Sequence, residues 1–124
     1  MKIRICGSMK FYNEYERLKK ELESRGHKVI IPLPDEAYSK EEDIKRKAME
    51  VFNTDLKQSD SILIMNLDKD NKINYIGVNS LMEIGMAFIL NKKIFLYNKI
   101  PEFCREELEA IKVTELNGEL NKIK

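Results

Sequence analysis

The chain has no tryptophan, a single histidine and only two cysteines, and these shortages remove several kinds of chemistry. With His27 as the sole imidazole, a metal hydrolase built on paired histidines and a Ser-His-Asp relay both lack their usual parts. At the start of a strand, His27 reads as a structural residue. Cys6 and Cys104 share no CxxC or metal-ligand spacing, so reduced thiols in a cytoplasmic protein are expected. A surplus of charge is missing too: 22 basic residues face 21 acidic ones, a formal +1. No global field attracts a nucleic-acid polymer. The alternating lysines and glutamates of several segments read as solvated helix faces. No secretory leader is visible ahead of MKIRICGS. The segment Asp68 to Lys72, DKDNK, lacks the glycine and closing glutamate of a calcium loop. No metal and no cofactor is expected.

What the chain does have is one stretch, Ile73 to Asn91, that is uncharged apart from Glu83, in a sequence where 35% of residues are charged. It approaches the ~20 residues of a membrane span. Asn74, Gly77, Asn79, Ser80, Glu83 and Gly85 make a bilayer helix costly, so a buried helix of a soluble protein is expected instead, with no membrane partner. From about Val78 to Leu90 the segment is apolar on nearly every side at helical pitch, which predicts burial over most of its circumference. Its only charge is Glu83. A carboxylate on such a helix loses solvation worth several kcal/mol unless something compensates, which singles Glu83 out for chemistry.

The remaining elements follow from periodicity. Lys2 to Cys6 is a short strand ending in Gly7-Ser8. Tyr15, Leu18 and Leu22 mark a helix that stops near Gly26. His27 to Pro32 is a second strand, followed by a loop punctuated by Pro32 and Pro34. Glu41 to about Lys57 is a helix with Ile44, Ala48, Val51 and Phe52 inward. Ser61 to Asn66 reads as a strand covered on both faces, Lys93 to Tyr97 as another, and a last helix runs from near Glu102 to about Ile111. Strands alternating with helices imply parallel pairing through right-handed crossovers: an α/β three-layer sandwich, formed as a single domain over residues 1–124.

In an open parallel sheet, ligands collect beyond the carboxyl ends of the strands. Three loops should meet there: Gly7-Ser8-Met9-Lys10, Asn66 to Ser80, and Tyr97-Asn98. The first suits a phosphate or carboxylate, although Ser8 equally serves as a helix N-cap, and GSMK is neither a dinucleotide fingerprint nor a P-loop. Asn79 and Ser80 open the Glu83 helix, as caps or as ligand contacts. Asp55 reaches the cleft only if the second helix ends beside it. Arg4, inside the first strand on the same face as Cys6, either reaches solvent at the strand end or needs a partner, and an Arg4–Glu83 pair is the economical expectation.

Four pieces, ICGSMK at 5–10, GHKVIIP at 26–32, DLKQSDSILIMN at 55–66 and GVNSLMEIGMAFILNKKIFLY at 77–97, resemble the nucleoside 2-deoxyribosyltransferase family, which includes deoxynucleoside monophosphate N-glycosidases. The resemblance implies a Rossmann- or flavodoxin-like fold with a parallel sheet of about five strands, assembled as a homodimer or larger homo-oligomer. It also implies Glu83 as nucleophile, Asp55 as the acid assisting the departing base, and Ser8 and Lys10 as contacts to a 5′-phosphate. Gly7, Gly77, Asn79 and Ser80 complete the implied substrate contacts, with Arg4 orienting. Three places depart from the family pattern. Arg4 stands where many members have an orienting tyrosine, Gly77 where relatives have aspartate or serine, and acidic residues around Glu106 and Glu107 replace a serine that reaches a neighbouring subunit. The implied activity is cleavage or exchange of an N-glycosidic bond in a small nucleoside or nucleotide, by the logic of a retaining glycosidase. Two other readings stand beside it: a catalytically silent nucleotide-binding module with Glu83 locked by Arg4, and a structural role for Glu83 as a buried anchor.

Overall fold

In the computed structural model, which describes residues 1–124, the period-two and period-3.6 patterns resolve into a doubly wound sheet. The elements are β1 (Lys2–Cys6), α1 (Tyr12–Ser24), β2 (Lys28–Ile30), α2 (Ile44–Lys57), β3 (Ser61–Ile64), α3 (Val78–Ile89), β4 (Lys93–Leu96), α4 (Arg105–Ala110) and β5 (Thr114–Glu115). Strand order is β2-β1-β3-β4-β5, and every pairing is parallel. This is the flavodoxin-like order, with its switch point between β1 and β3. No helix is long and apolar enough to cross a membrane.

Alternation along β1 sorts the core into two layers. Ile3 and Ile5 pack with Tyr15, Leu18 and Leu22 of α1 and with Leu116 and Leu120 near the C-terminus. Cys6 packs on the other side with Phe52 and Leu56 of α2, Ile84 and Ala87 of α3, and Leu108 of α4. Arg4 shares that second face and is 4% exposed. β3, buried along its whole length, is the central strand that both layers cover.

Several expectations need correction. β2 is shorter than His27 to Pro32. α2 starts at Ile44, where Asp43 accepts from the Arg46 amide as N-cap; Ile44, expected inward, is exposed because it lines an open cleft rather than the core. The last helix is split into a 3-10 turn at Glu102–Cys104 and α4. β5 is too short to be legible in the sequence, since two residues cannot show a period. The largest difference concerns α3. It buries Ser80, Ile84 and Ala87, while Val78 and Ile89 are 78% and 72% exposed. Within one chain the helix is covered on one face, not on most of its circumference.

Candidate active site

β1 delivers the site's floor. Gly7 ends the strand in a conformation, φ +151°, that side chains rarely adopt, and a Cβ there would lie 2.5 Å from the Tyr15 hydroxyl oxygen. The close approach lets Tyr15 donate from beneath to the Ser8 carbonyl, which pins the turn. Beside it opens a cleft of about 410 Å3. Arg4, Cys6, Gly7 and Met9 line it from β1 and its loop, Asn79 and Glu83 from α3. Pro32, Leu33, Asp35 and Tyr38 come from the segment after β2, and Ile44, Lys45 and Ala48 from α2. Asn79 and Glu83 are four residues apart, one above the other on the same helix face.

Glu83 is partly buried. Burial pushes its carboxyl up from the usual range to about 7, and the positive charge of Arg4 acts in the opposite direction. Burial likewise raises the Cys6 thiol, an effect the charge of Glu83 reinforces, so Cys6 is a neutral wall of the cleft.

The expected Arg4–Glu83 pair does not form. Arg4 Nε lies 2.9 Å from Asp55 Oδ2, its Nη1 donates to the Ile5 carbonyl, and its guanidinium sits 5.3 Å from the Phe52 ring centroid. The reason lies in the layers: α2 runs down the face that Arg4 points to, and its last turn presents Asp55. At 2.9 Å the guanidinium donates directly to the Asp55 carboxylate, which answers its charge. Glu83 is thus left without a salt bridge, and the salt-bridge lock of the silent-module reading is absent.

The other expected residues fall into place unequally. Asp55 does not line the cleft; it stands behind Arg4. Ser8 Oγ accepts from the Lys10 amide, the capping alternative, and Lys10 Nζ pairs with Asp70 at 3.4 Å on the surface. Neither lines the cleft. Gly77 precedes α3 and lines a separate hollow with Tyr75 and Phe103. Ser80 is buried in the first turn of α3. The structure therefore brings together Arg4, Gly7, Asn79 and Glu83, and leaves Asp55, Ser8, Lys10, Gly77 and Ser80 outside the cleft lining. Sequence reasoning missed Tyr38 and Lys45. Spacing carries no signal for them: they reach the cleft because β2 lies next to β1, so that the segment leaving it runs past the carboxyl end of the sheet.

Fold and site together define a class, the doubly wound α/β proteins that carry a half-buried carboxylate at the switch-point cleft. Comparison with protein-family models gives no match, and comparison with curated proteins gives none either. Solved structures do match. A 2-deoxyribosyltransferase from the psychrotolerant bacterium Bacillus psychrosaccharolyticus superposes with a TM-score of 0.55 at 17% identity, covering 77% of this chain and 71% of that one. The CMP N-glycosidase BcmB of Clostridium botulinum gives a TM-score of 0.57 at 16% identity, covering 93% and 87%. The likeness is one of fold, and it agrees with the flavodoxin-like architecture implied by the four sequence pieces.

Proposed function

We propose that the protein cleaves or exchanges the N-glycosidic bond of a small nucleoside or nucleotide, with Glu83 as the nucleophile. The observation that carries this reading is Glu83 itself, an unpaired carboxylate lining a sugar-sized cleft at the switch point. The fold shared with a 2-deoxyribosyltransferase and a CMP N-glycosidase supports it.

In this mechanism the ionised Glu83 attacks the anomeric carbon. The electron pair of the carbon–nitrogen bond leaves with the base, which takes a proton from solvent water, and a covalent glycosyl ester remains. Water or a second base then attacks the same carbon and releases Glu83. Asn79, one turn earlier, presents an amide to the sugar. Arg4 supplies the positive charge that favours the ionised nucleophile. Asp55, as the acceptor of the Arg4 hydrogen bond, holds the guanidinium in place.

The test is chromatographic. Purified protein is incubated with nucleosides and their monophosphates, with and without an acceptor base. Release of free base by the native protein and its loss in Glu83→Gln, with the fold intact, is the expected result. Ligand binding with no base release from any member of the panel would replace the enzyme with a binding module.

A further inference from the structure

At the opposite end of the sheet from the Glu83 cleft, the entries of β4 and β5 frame a second hollow of about 440 Å3. Lys92, Lys93, Lys112, Lys122 and Lys124 stand around it, and no carboxylate side chain lines it. Of these lysines, Lys122 has an acidic partner, Glu119 at 2.9 Å, and the other four have none. Phe88, Ile94, Phe95 and Ile111 supply an apolar floor.

In a chain with a formal charge of +1, this concentration is not a matter of composition. Like charges gathered around one hollow repel unless something answers them. The carbonyl ends of α3 and α4 answer part of it for Lys92 and Lys112, which follow those helices closely. Lys93, on β4, and Lys124 have no such helix end.

Lys112 carries a further sign. The two helices close alike, with the Lys92 amide donating to the Ala87 carbonyl and the Val113 amide to the Leu108 carbonyl. Each closure needs one left-handed residue, Asn91 at φ 57° and Lys112 at φ 59°. Asparagine suits that conformation and lysine does not. The turn itself therefore gives no reason for lysine at 112, whereas a cation on the rim of the hollow does.

We propose that this hollow is a second ligand site, one that takes a nucleoside di- or triphosphate. The phosphates meet the lysine rim and the base lies on the apolar floor. The hollow is within the range of about 300–1,000 Å3 typical of small-molecule sites. One phosphate group carries about two negative charges at neutral pH, fewer than the four lysines without a carboxylate partner; a chain of two or three phosphates can reach more of the rim.

The site is independent of the Glu83 chemistry, and so is its test. ATP and inorganic tripolyphosphate are titrated into the native protein by calorimetry at about 0.05 M and about 0.5 M salt. Saturable ATP binding that weakens at least about tenfold at the higher salt is expected, with tripolyphosphate binding more weakly because it leaves the floor uncovered. Combining Lys92→Gln, Lys93→Gln and Lys112→Gln should lower ATP affinity by about tenfold or more. Lys45→Gln, in the other cleft, should leave it unchanged, and circular dichroism confirms that each variant is folded. The proposal is overturned if the triple variant binds ATP as the native protein does. It is equally overturned if Lys45→Gln abolishes binding, if no saturable binding occurs, or if a single-stranded oligonucleotide binds more than about tenfold tighter than ATP.

Discussion

At the scale of single residues, Glu83 sets two predictions with opposite signs. Its carboxyl ionises near 4.5 when exposed in the unfolded chain, whereas burial moves it to about 7 in the folded one. Between those values the folded state binds the extra proton, so this group's contribution to stability falls as pH rises from about 4.5 to about 7 and stays lowered above. Glu83→Gln should therefore be more stable than the native protein at pH 8, by roughly 1–3 kcal/mol, with the difference vanishing near pH 4. Urea unfolding of both proteins at the two pH values measures this, and an unchanged difference would remove the buried-charge account. Activity runs the other way. If Glu83 attacks as a carboxylate, base release should rise with pH and level off above about 7. Arg4→Leu takes away the charge that holds the Glu83 carboxyl down, so the midpoint of that profile should move to higher pH. The same change leaves Asp55 without its partner, at a cost of about 2–4 kcal/mol. A midpoint that stayed in place in Arg4→Leu would mean that the guanidinium has no electrostatic part in the site.

At the scale of elements, the turn after β1 is held by a fit between Gly7 and α1. A methyl group at position 7 would meet the Tyr15 hydroxyl at 2.5 Å and Met65 at 3.3 Å, on a backbone with positive φ. Gly7→Ala should thus cost about 2–3 kcal/mol of stability. In a Tyr15→Phe background the hydroxyl is gone and the same substitution should cost measurably less, a coupling that a double-mutant cycle reads directly. Equal costs in both backgrounds would show that backbone strain alone governs the turn. This fit also marks how far a sequence speaks. Tyr15, Leu18 and Leu22 declare their helix and its buried stripe by spacing, and SILI declares a covered strand by being apolar throughout. Glu83 is conspicuous because everything near it is uncharged. By contrast, the partner of Arg4 depends on which helix lies over β1 and on where that helix ends, and spacing carries neither. Thr114 and Glu115 are too short a strand to show a period. Tyr38 and Lys45 enter the cleft only because β2 is placed beside β1.

At the scale of the whole molecule, the outer face of α3 is unfinished business for a single chain. Val78, Met82, Gly85 and Ile89 fall at i, i+4, i+7 and i+11, one line along the helix, and all four are exposed. Phe103 beside them is 65% exposed. An apolar stripe of this kind would suit a surface that another chain covers, and a Cβ built on Gly85 meets nothing within 4 Å. A small residue midway along the stripe lets two helices approach closely. A two-fold pairing of α3 with its copy meets the same surface from both sides. It would also account for the sequence pattern that predicted burial around most of the helix, since the second half of that burial would come from the partner. Ile89 lies at the far end of α3 from Asn79 and outside the cleft lining, so Ile89→Lys should break the pairing without touching Glu83. Light scattering on the native protein at micromolar concentration should give a mass of at least two chains, and on Ile89→Lys the mass of one, with unchanged circular dichroism. A native protein that stays monomeric at high concentration would leave the stripe without a partner of its own kind. Such an assembly would put a second α3 next to the helix that carries Glu83, and would restrict solvent on that side of the molecule. If the glycosyl ester depends on that restriction, the monomeric variant should hydrolyse a larger share of it and pass less to an acceptor base. The ratio of free sugar to exchanged nucleoside reads this directly.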